Sequence, residues 1–169
     1  MSTPENKPTL LIVGAGGHGH VVAEIADTLG YTVSFLDDNR LEAIGTISDM
    51  EQLAKHYDAL FIAIGNNVRR KQLTEKAEAI GIRPVTLVHP SAYISMSATI
   101  GEGTVIAPHA TVHTNSSIGK GCILSVGAIV DHDAAVEPFV HMDAGSICKS
   151  GGRIETGRKL GAGEVVLGY

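Results

Sequence analysis

From residue 94 onward the chain places an aliphatic or equivalent apolar residue at every sixth position. The series is Ile94, Ile100, Ile106, Val112, Ile118, Leu124, Val130, Val136, Met142, Cys148, Ile154, Leu160 and Val166, and twelve complete blocks fill 94–165 without insertion. The fifth position of most blocks is small: Ala98, Thr104, Ala110, Ser116, Cys122, Ala128, Ala134, Ser146 and Gly152. The fourth is often a residue that tolerates positive φ: Gly103, Asn115, Gly121, Gly127, Asp133, Gly145, Gly151, Gly157 and Gly163. An α-helix would wind a period-six stripe around its axis. A flat strand would alternate every second residue and would need no turn residue every six. A short strand followed by a tight corner, repeated, satisfies all three columns, so 90–169 is predicted to be a parallel β-solenoid.

The N-terminal part, 1–89, has a different rhythm. Thr9–Val13 is a short apolar run of the kind that becomes a buried strand. The next stretch puts Val21, Val22, Ile25, Ala26 and Leu29 on one side of a helix that stops at Gly30. Thr32–Leu36 reads as a second strand, ending in Asp37 and Asp38. Ser48, with Glu51 as its capping-box partner, predicts a helix over 49–57. A third strand over 59–64 runs into Gly65-Asn66-Asn67, a helix follows over about 67–80, and 85–88 reads as a last strand. Alternating strands and helices predict a small parallel α/β sheet of Rossmann type. Pro90 and Ser91 mark the hand-over to the solenoid.

Composition narrows the function classes. A length of 169 residues suits one or two small domains. The net charge of −5 argues against nucleic acid or an anionic membrane as a partner held by charge alone. No apolar run is long enough to insert in a membrane, and the start lacks the charged and apolar regions of a signal peptide. A cytoplasmic location is expected. Cys122 and Cys148 fall in inward columns and read as core thiols rather than a disulfide.

Gly14, Gly16 and Gly19 have G-x-G-x-x-G spacing after a strand and before a helix. Such a loop lets the backbone approach a phosphate, which the free N–H groups of the helix start attract. The acidic pair Asp37 and Asp38 follows at the distance expected for a ribose contact. Gly65 ends another strand on the same carboxyl edge. The pattern alone leaves a nicotinamide cofactor and a sugar nucleotide both open, and the short half-sheet favours a single nucleotide. In the solenoid, His132 lies between Asp131 and Asp133, and His141 follows nine residues on.

The six-residue repeat resembles the left-handed β-helix acyltransferases. The loop at 14–19, Phe35-Leu36-Asp37-Asp38, Ala63-Ile64-Gly65-Asn66-Asn67 and Val130-Asp131-His132-Asp133 together resemble the bacterial sugar-nucleotide N-acetyltransferases of the bacillosamine and sialic acid type. The resemblance implies three blocks per coil, a left-handed course against the usual rule for parallel crossovers, and a homotrimer. It implies acetyl-CoA as cosubstrate, no metal, and transfer of the acetyl group to a nucleotide-linked 4-amino sugar, expected to be UDP-linked, for bacterial glycan biosynthesis. By the same resemblance His132 is the general base and Asp133 its acidic partner. Gly16, Gly17, His18, Asp37, Asp38 and Gly65 become the substrate contacts, and His141 and Gly151 the acetyl-CoA contacts. A histidine suits the base, because its ordinary pKa is near neutrality and a neighbouring carboxylate can orient the ring.

The chain departs from the family pattern in places. Ser125 stands where relatives usually carry Asn, Ser150 where a Gly often approaches coenzyme A, and Arg158 and Glu164 occupy the small-residue column. Relatives continue for further coils, so a chain stopping at Tyr169 is expected to be C-terminally truncated. Three other readings stay open: sugar O-acetylation, a non-catalytic sugar-nucleotide-binding protein, and a zinc enzyme using His113, His132 and His141. Asp131 is open between a second polarising group and a solvated acid. His109 and His113 read as surface or core residues, and His20, His56 and His89 are given no role.

Overall fold

A computed structural model of the chain describes residues 7–169. The first six residues, on which the signal-peptide reading mostly falls, lie outside that range. The N-terminal domain is a three-stranded parallel sheet in the order β2-β1-β3, with β1 (Thr9–Val13), β2 (Thr32–Leu36) and β3 (Ala59–Ile62). Strand β1 is apolar from Leu10 to Val13, all fully buried, because it is central and covered on both faces. Leu10 and Ile12 pack with Val22 and Ile25 of α1 (Gly17–Thr28). Leu11 and Val13 face the other way, toward Met50 of α2 (Met50–Leu53) and Leu73 of α3 (Asn67–Ala79). No helix among the described residues is long and apolar enough to cross a membrane.

Three local expectations are corrected. The helix expected over 49–57 is a 3₁₀ turn, the short α2 and a second 3₁₀ turn at Ala54–His56. Its cap lies two residues earlier than Ser48 and Glu51: Asp49 Oδ2 accepts from both the amide and the hydroxyl of Thr46, each at 2.8 Å. Strand β3 stops at Ile62 rather than 64, because the Ile64 carbonyl turns away to accept from Arg70 Nη1 at 2.9 Å. The last strand does not join the α/β sheet. Val85 N still donates to Leu60 O at 2.9 Å, but Leu87–Val88 pairs with Val105–Ile106 and forms the first rung of the solenoid.

The solenoid has three faces. The first stacks Leu87–Val88, Val105–Ile106, Ile123–Leu124, His141–Met142 and Lys159–Leu160. The second stacks Tyr93–Ile94, Thr111–Val112, Ile129–Val130, Ile147–Cys148 and Val165–Val166. The third stacks Thr99–Ile100, Ser117–Ile118, Ala135–Val136 and Arg153–Ile154. All rungs are parallel, and Ile123 pairs with His141, so three blocks make one coil. The inward columns form one core that includes Ile106, Val112, Leu124, Val130, Met142 and Cys148, all fully buried. Every corner from Gly103 to Gly163 turns through positive φ, and His109 (59°) and Phe139 (60°) hold it without being Gly, Asn or Asp. Phe139 is held there by burial: its ring lies over Gly121, where an added Cβ would sit 2.6 Å from Cδ1.

The two domains share a largely apolar interface. The outward residues Val105 and Ile123 of the first face are buried against Ile25, Ala26 and Phe61. Arg70 of α3, only 1% exposed, closes the seam. It donates to Gly121 O (2.7 Å) and Phe139 O (3.0 Å) of the solenoid, and to Ile64 O (2.9 Å) and Asn67 Oδ1 (2.8 Å) of its own domain.

Candidate active site

His132 and Asp133 project from the corner between the second and third faces. Val130 anchors the block inside, and Asp133 takes the positive φ (58°) that reverses the chain. His132 Nδ1 lies 2.8 Å from Asp133 Oδ2. That carboxyl is held below its ordinary range, first by this bond and then by Asn115, so it is the acceptor and Nδ1 carries the hydrogen. The lone pair of Nε2 is left to act as a base. The hydrogen bond to Asp133 raises the His132 pKa. Asn115 Nδ2 donates to Asp133 Oδ1 at 3.2 Å from one coil earlier. Asp131 Oδ1 accepts from the His132 amide at 2.8 Å, and its Oδ2 accepts from Ser150 Oγ at 2.6 Å. The His113 ring stands 6.3 Å from that of His132, centroid to centroid. Gly151 lies one coil beyond Asp133, with its amide donating to His132 O at 3.0 Å, and the Tyr169 ring covers it.

The glycine loop divides into structural and open positions. A Cβ on Gly19 would collide with the Gly14 carbonyl, and one on Gly14 would meet Ala63 O at 2.7 Å. Among the described residues nothing lies within 4 Å of a Cβ built on Gly16, Gly17 or Gly65. Gly16 is the N-cap of α1 and provides no side-chain cap, which leaves the amides of the first turn to other acceptors. Both carboxylates expected to contact the substrate already serve the fold. Asp37 accepts from Ala15 N (2.8 Å) and Asn39 N (2.9 Å), and the Ala15 bond is the first cause of its lowered pKa. Asp38 Oδ1 accepts from Ile47 N at 2.9 Å.

His18 and His141, assigned from sequence to different ligands, meet across the domain seam with ring centroids 6.4 Å apart. Among the described residues, His18 Nε2 and His141 Nδ1 are buried without a hydrogen-bond partner. Burial, then His141 and then Arg70, lowers the His18 pKa to about 4. Burial is also the first cause of the lowered His141 pKa, followed by Lys159 and Arg70. Ser125 Oγ lies 3.5 Å from His141 Nε2. Beside the pair is a cavity of about 320 Å³ between α1 and the first face, lined by His18, Val21, Ile25, Ser125 and Asp143 among others. Within one chain, therefore, the loop and His141 form one cluster, and His132, Asp133 and Gly151 form another. Of the three histidines considered for zinc, His113 and His132 are neighbours but His141 lies with His18. No set of three metal-binding side chains comes together among the described residues.

Sequence reasoning missed Arg70 and Asn115 as parts of this architecture. Arg70 looks like any solvated base in Arg69-Arg70-Lys71, and Asn115 showed only its turn propensity.

Residues 9–77 match the family model described as the PglD N-terminal domain. UDP-N-acetylbacillosamine N-acetyltransferase of Bacillus subtilis (strain 168) is 40% identical over 107 residues, covering 56% of this chain and 49% of that protein. The chain thus spans about half the length of this curated relative. The acetyltransferase domain of PglB from Neisseria gonorrhoeae FA1090 superposes with a TM-score of 0.88 at 38% identity, covering 94% of this chain and 82% of that one. The same domain has been solved in complex with acetyl coenzyme A. PerB from Caulobacter crescentus, in complex with CoA and GDP-perosamine, gives a TM-score of 0.72 at 27% identity, covering 95% of this chain and 89% of that one. The match to these acetyltransferases gives the solenoid its left-handed course. With this likeness over nearly its whole length, the chain belongs to the hexapeptide-repeat family of sugar-nucleotide N-acetyltransferases.

Proposed function

We propose that this chain transfers the acetyl group of acetyl-CoA to the amine of a nucleotide-linked 4-amino sugar, with UDP as the expected carrier. The relatives act on or hold such molecules: one is named for UDP-N-acetylbacillosamine, one holds acetyl coenzyme A, and one holds CoA with GDP-perosamine. The observation that carries the reading is the His132–Asp133 pair, a half-exposed imidazole with its Nδ1 hydrogen fixed at 2.8 Å. In the reaction the amine lone pair attacks the thioester carbonyl carbon. His132 Nε2 takes the proton from nitrogen, the C–S bond breaks, and coenzyme A leaves as thiol once reprotonated. The substrate's phosphates go to the open backbone at Gly16 and Gly17, with His18, Asp37, Asp38 and Gly65 around the nucleotide. His141 and Gly151 serve the acetyl donor.

A homotrimer completes this reading. Along the second face the outward residues are Tyr93, Thr111, Ile129, Ile147 and Val165, apolar apart from Thr111, and Tyr93 and Val165 are 56% and 47% exposed. Such a face suits burial by neighbouring copies. It also brings one copy's His132 toward another copy's glycine loop, since the two clusters are separate within one chain. A cytoplasmic setting goes with the reading, as Cys122 and Cys148 are buried free thiols.

The test is coenzyme A release measured with UDP-, GDP- and TDP-linked amino sugars. His132→Ala should lower kcat by roughly 10²–10⁴-fold, the usual contribution of a positioned base. A variant retaining most of the activity would overturn the assignment.

A further inference from the structure

The corner that carries His132 holds a second carboxylate. Asp131 stands one coil beyond His113 in the same column, and Ser150 stands one coil beyond His132. The Asp131 side chain crosses between these columns. Its Oδ2 accepts the Ser150 hydroxyl at 2.6 Å, its Oδ1 accepts the His132 amide at 2.8 Å, and the same Oδ1 lies 4.0 Å from His113 Nδ1. Ser150 is half-buried. The network is therefore tied into the stack of coils, not free in solvent. A carboxylate with both oxygens engaged keeps its charge and its place.

We infer that Asp131, clamped by Ser150 from the following coil, is a positioning residue for His132, fixing its backbone and placing a second negative charge beside its ring. The inference rests on the reading of His132 as the base. Asp133 orients the ring through Nδ1, and Asp131 orients the turn that carries it. The two carboxylates divide the work: one sets the tautomer and the other sets where Nε2 points. Negative charge on both sides stabilises the imidazolium formed as the proton arrives. The hydrogen bond from Ser150 is the first cause of the lowered Asp131 pKa, and Asp131 follows Asp133 among the groups that raise that of His132.

The groups around the ring are few. Asp131 and Asp133 come from its own turn, and His113 and Asn115 from the preceding coil. Ser150 comes from the following coil, and the Tyr169 phenol approaches Asp133. Lys149, next to Ser150, is exposed and among the described residues pairs with neither carboxylate.

The test compares Asp131→Asn, Ser150→Ala and Ser150→Thr in the full chain. It uses two readouts: steady-state kinetics against pH, and NMR titration of the His132 ring without substrate. Asp131→Asn should move the His132 midpoint and the acid limb of kcat/KM to lower pH, and lower kcat roughly tenfold. Ser150→Ala should shift both in the same direction by less, with KM unchanged, and Ser150→Thr should restore wild-type behaviour by keeping the hydroxyl. A purely structural role would lower the melting temperature and leave the titration midpoint in place. An unchanged or raised midpoint in Asp131→Asn, or a Ser150→Ala variant that titrates and turns over like wild type, overturns the inference. The ring titration is independent of turnover, so it decides this point even if His132→Ala remains active and the parent reading fails.

Discussion

Arg70 should hold the two domains in register, and replacing it with Met should cost about 4 kcal/mol by two separate routes. In the first, the guanidinium makes four hydrogen bonds of 3.0 Å or less, to Gly121 O, Ile64 O, Asn67 Oδ1 and Phe139 O. Bonds from a charged donor contribute about 1.5–3 kcal/mol each, or about 6–12 kcal/mol in all. Against this stands burial of the cation, which draws its pKa down to about 10, equivalent to about 3 kcal/mol. The net falls between about 3 and 9 kcal/mol, and the lower end applies because Ile64 and Asn67 are half-exposed and regain water. In the second route, the variant leaves the sealed carbonyls of Gly121 and Phe139 without a donor, at about 1–3 kcal/mol each. For a chain of 169 residues a loss of this size lowers Tm by roughly 8–16 °C. Calorimetry of Arg70→Met and Arg70→Lys measures it. Lys should recover less than half the loss, since one ammonium cannot reach carbonyls on three segments. A Tm within about 2 °C of wild type for the Met variant would refute the reasoning.

Other outcomes follow from the same geometry. The folded-state pKa of His18 is depressed to about 4, so its stabilising contribution is fully present above its ordinary value of about 6.5 and is lost as pH falls toward about 4, by up to about 3 kcal/mol. His18→Gln should flatten that part of the stability-against-pH curve in urea melts, and an unchanged slope would count against a buried neutral imidazole. Gly19→Ala should disrupt the loop by forcing a Cβ into the Gly14 carbonyl, whereas Gly16→Ala should fold normally and weaken nucleotide binding, seen by calorimetric titration. Ile129→Glu on the second face should shift the light-scattering mass toward the 17.6 kDa of one chain without changing the circular dichroism. A mass equal to wild type would place the interface elsewhere.

The solenoid was legible because its signal repeats: one misplaced residue among thirteen first positions changes nothing, and all thirteen lie in the inward column. The corners were read from Gly, Asn and Asp, and the two that lack them, His109 and Phe139, show what the pattern omits. A corner is imposed by the rungs on either side, so the lattice of coils can force a left-handed residue at a modest local cost. The same asymmetry explains the misplaced last strand. Leu87 and Val88 are apolar in either setting, and only the pairing with Val105 and Ile106 decides which sheet they join.

The sequence singled out the parts of the candidate site but not their grouping, because grouping depends on coil geometry and domain docking. His113, Asn115, Asp131, Asp133 and Ser150 become neighbours through an 18-residue coil, so the periodicity that revealed the fold could also have paired them. No such period links His18 to His141. Their meeting depends on Val105 and Ile123, apolar residues in outward positions of the first face, which α1 covers. Ile129 and Val165 are apolar in the same outward position of the second face, yet they stay 37% and 47% exposed among the described residues. One pair of outward apolar residues is therefore explained by the N-terminal domain, and the other is the pair that the proposed homotrimer would cover. That remainder is the physical reason for proposing that the reaction takes place between copies: the surface left exposed adjoins the corner that carries His132.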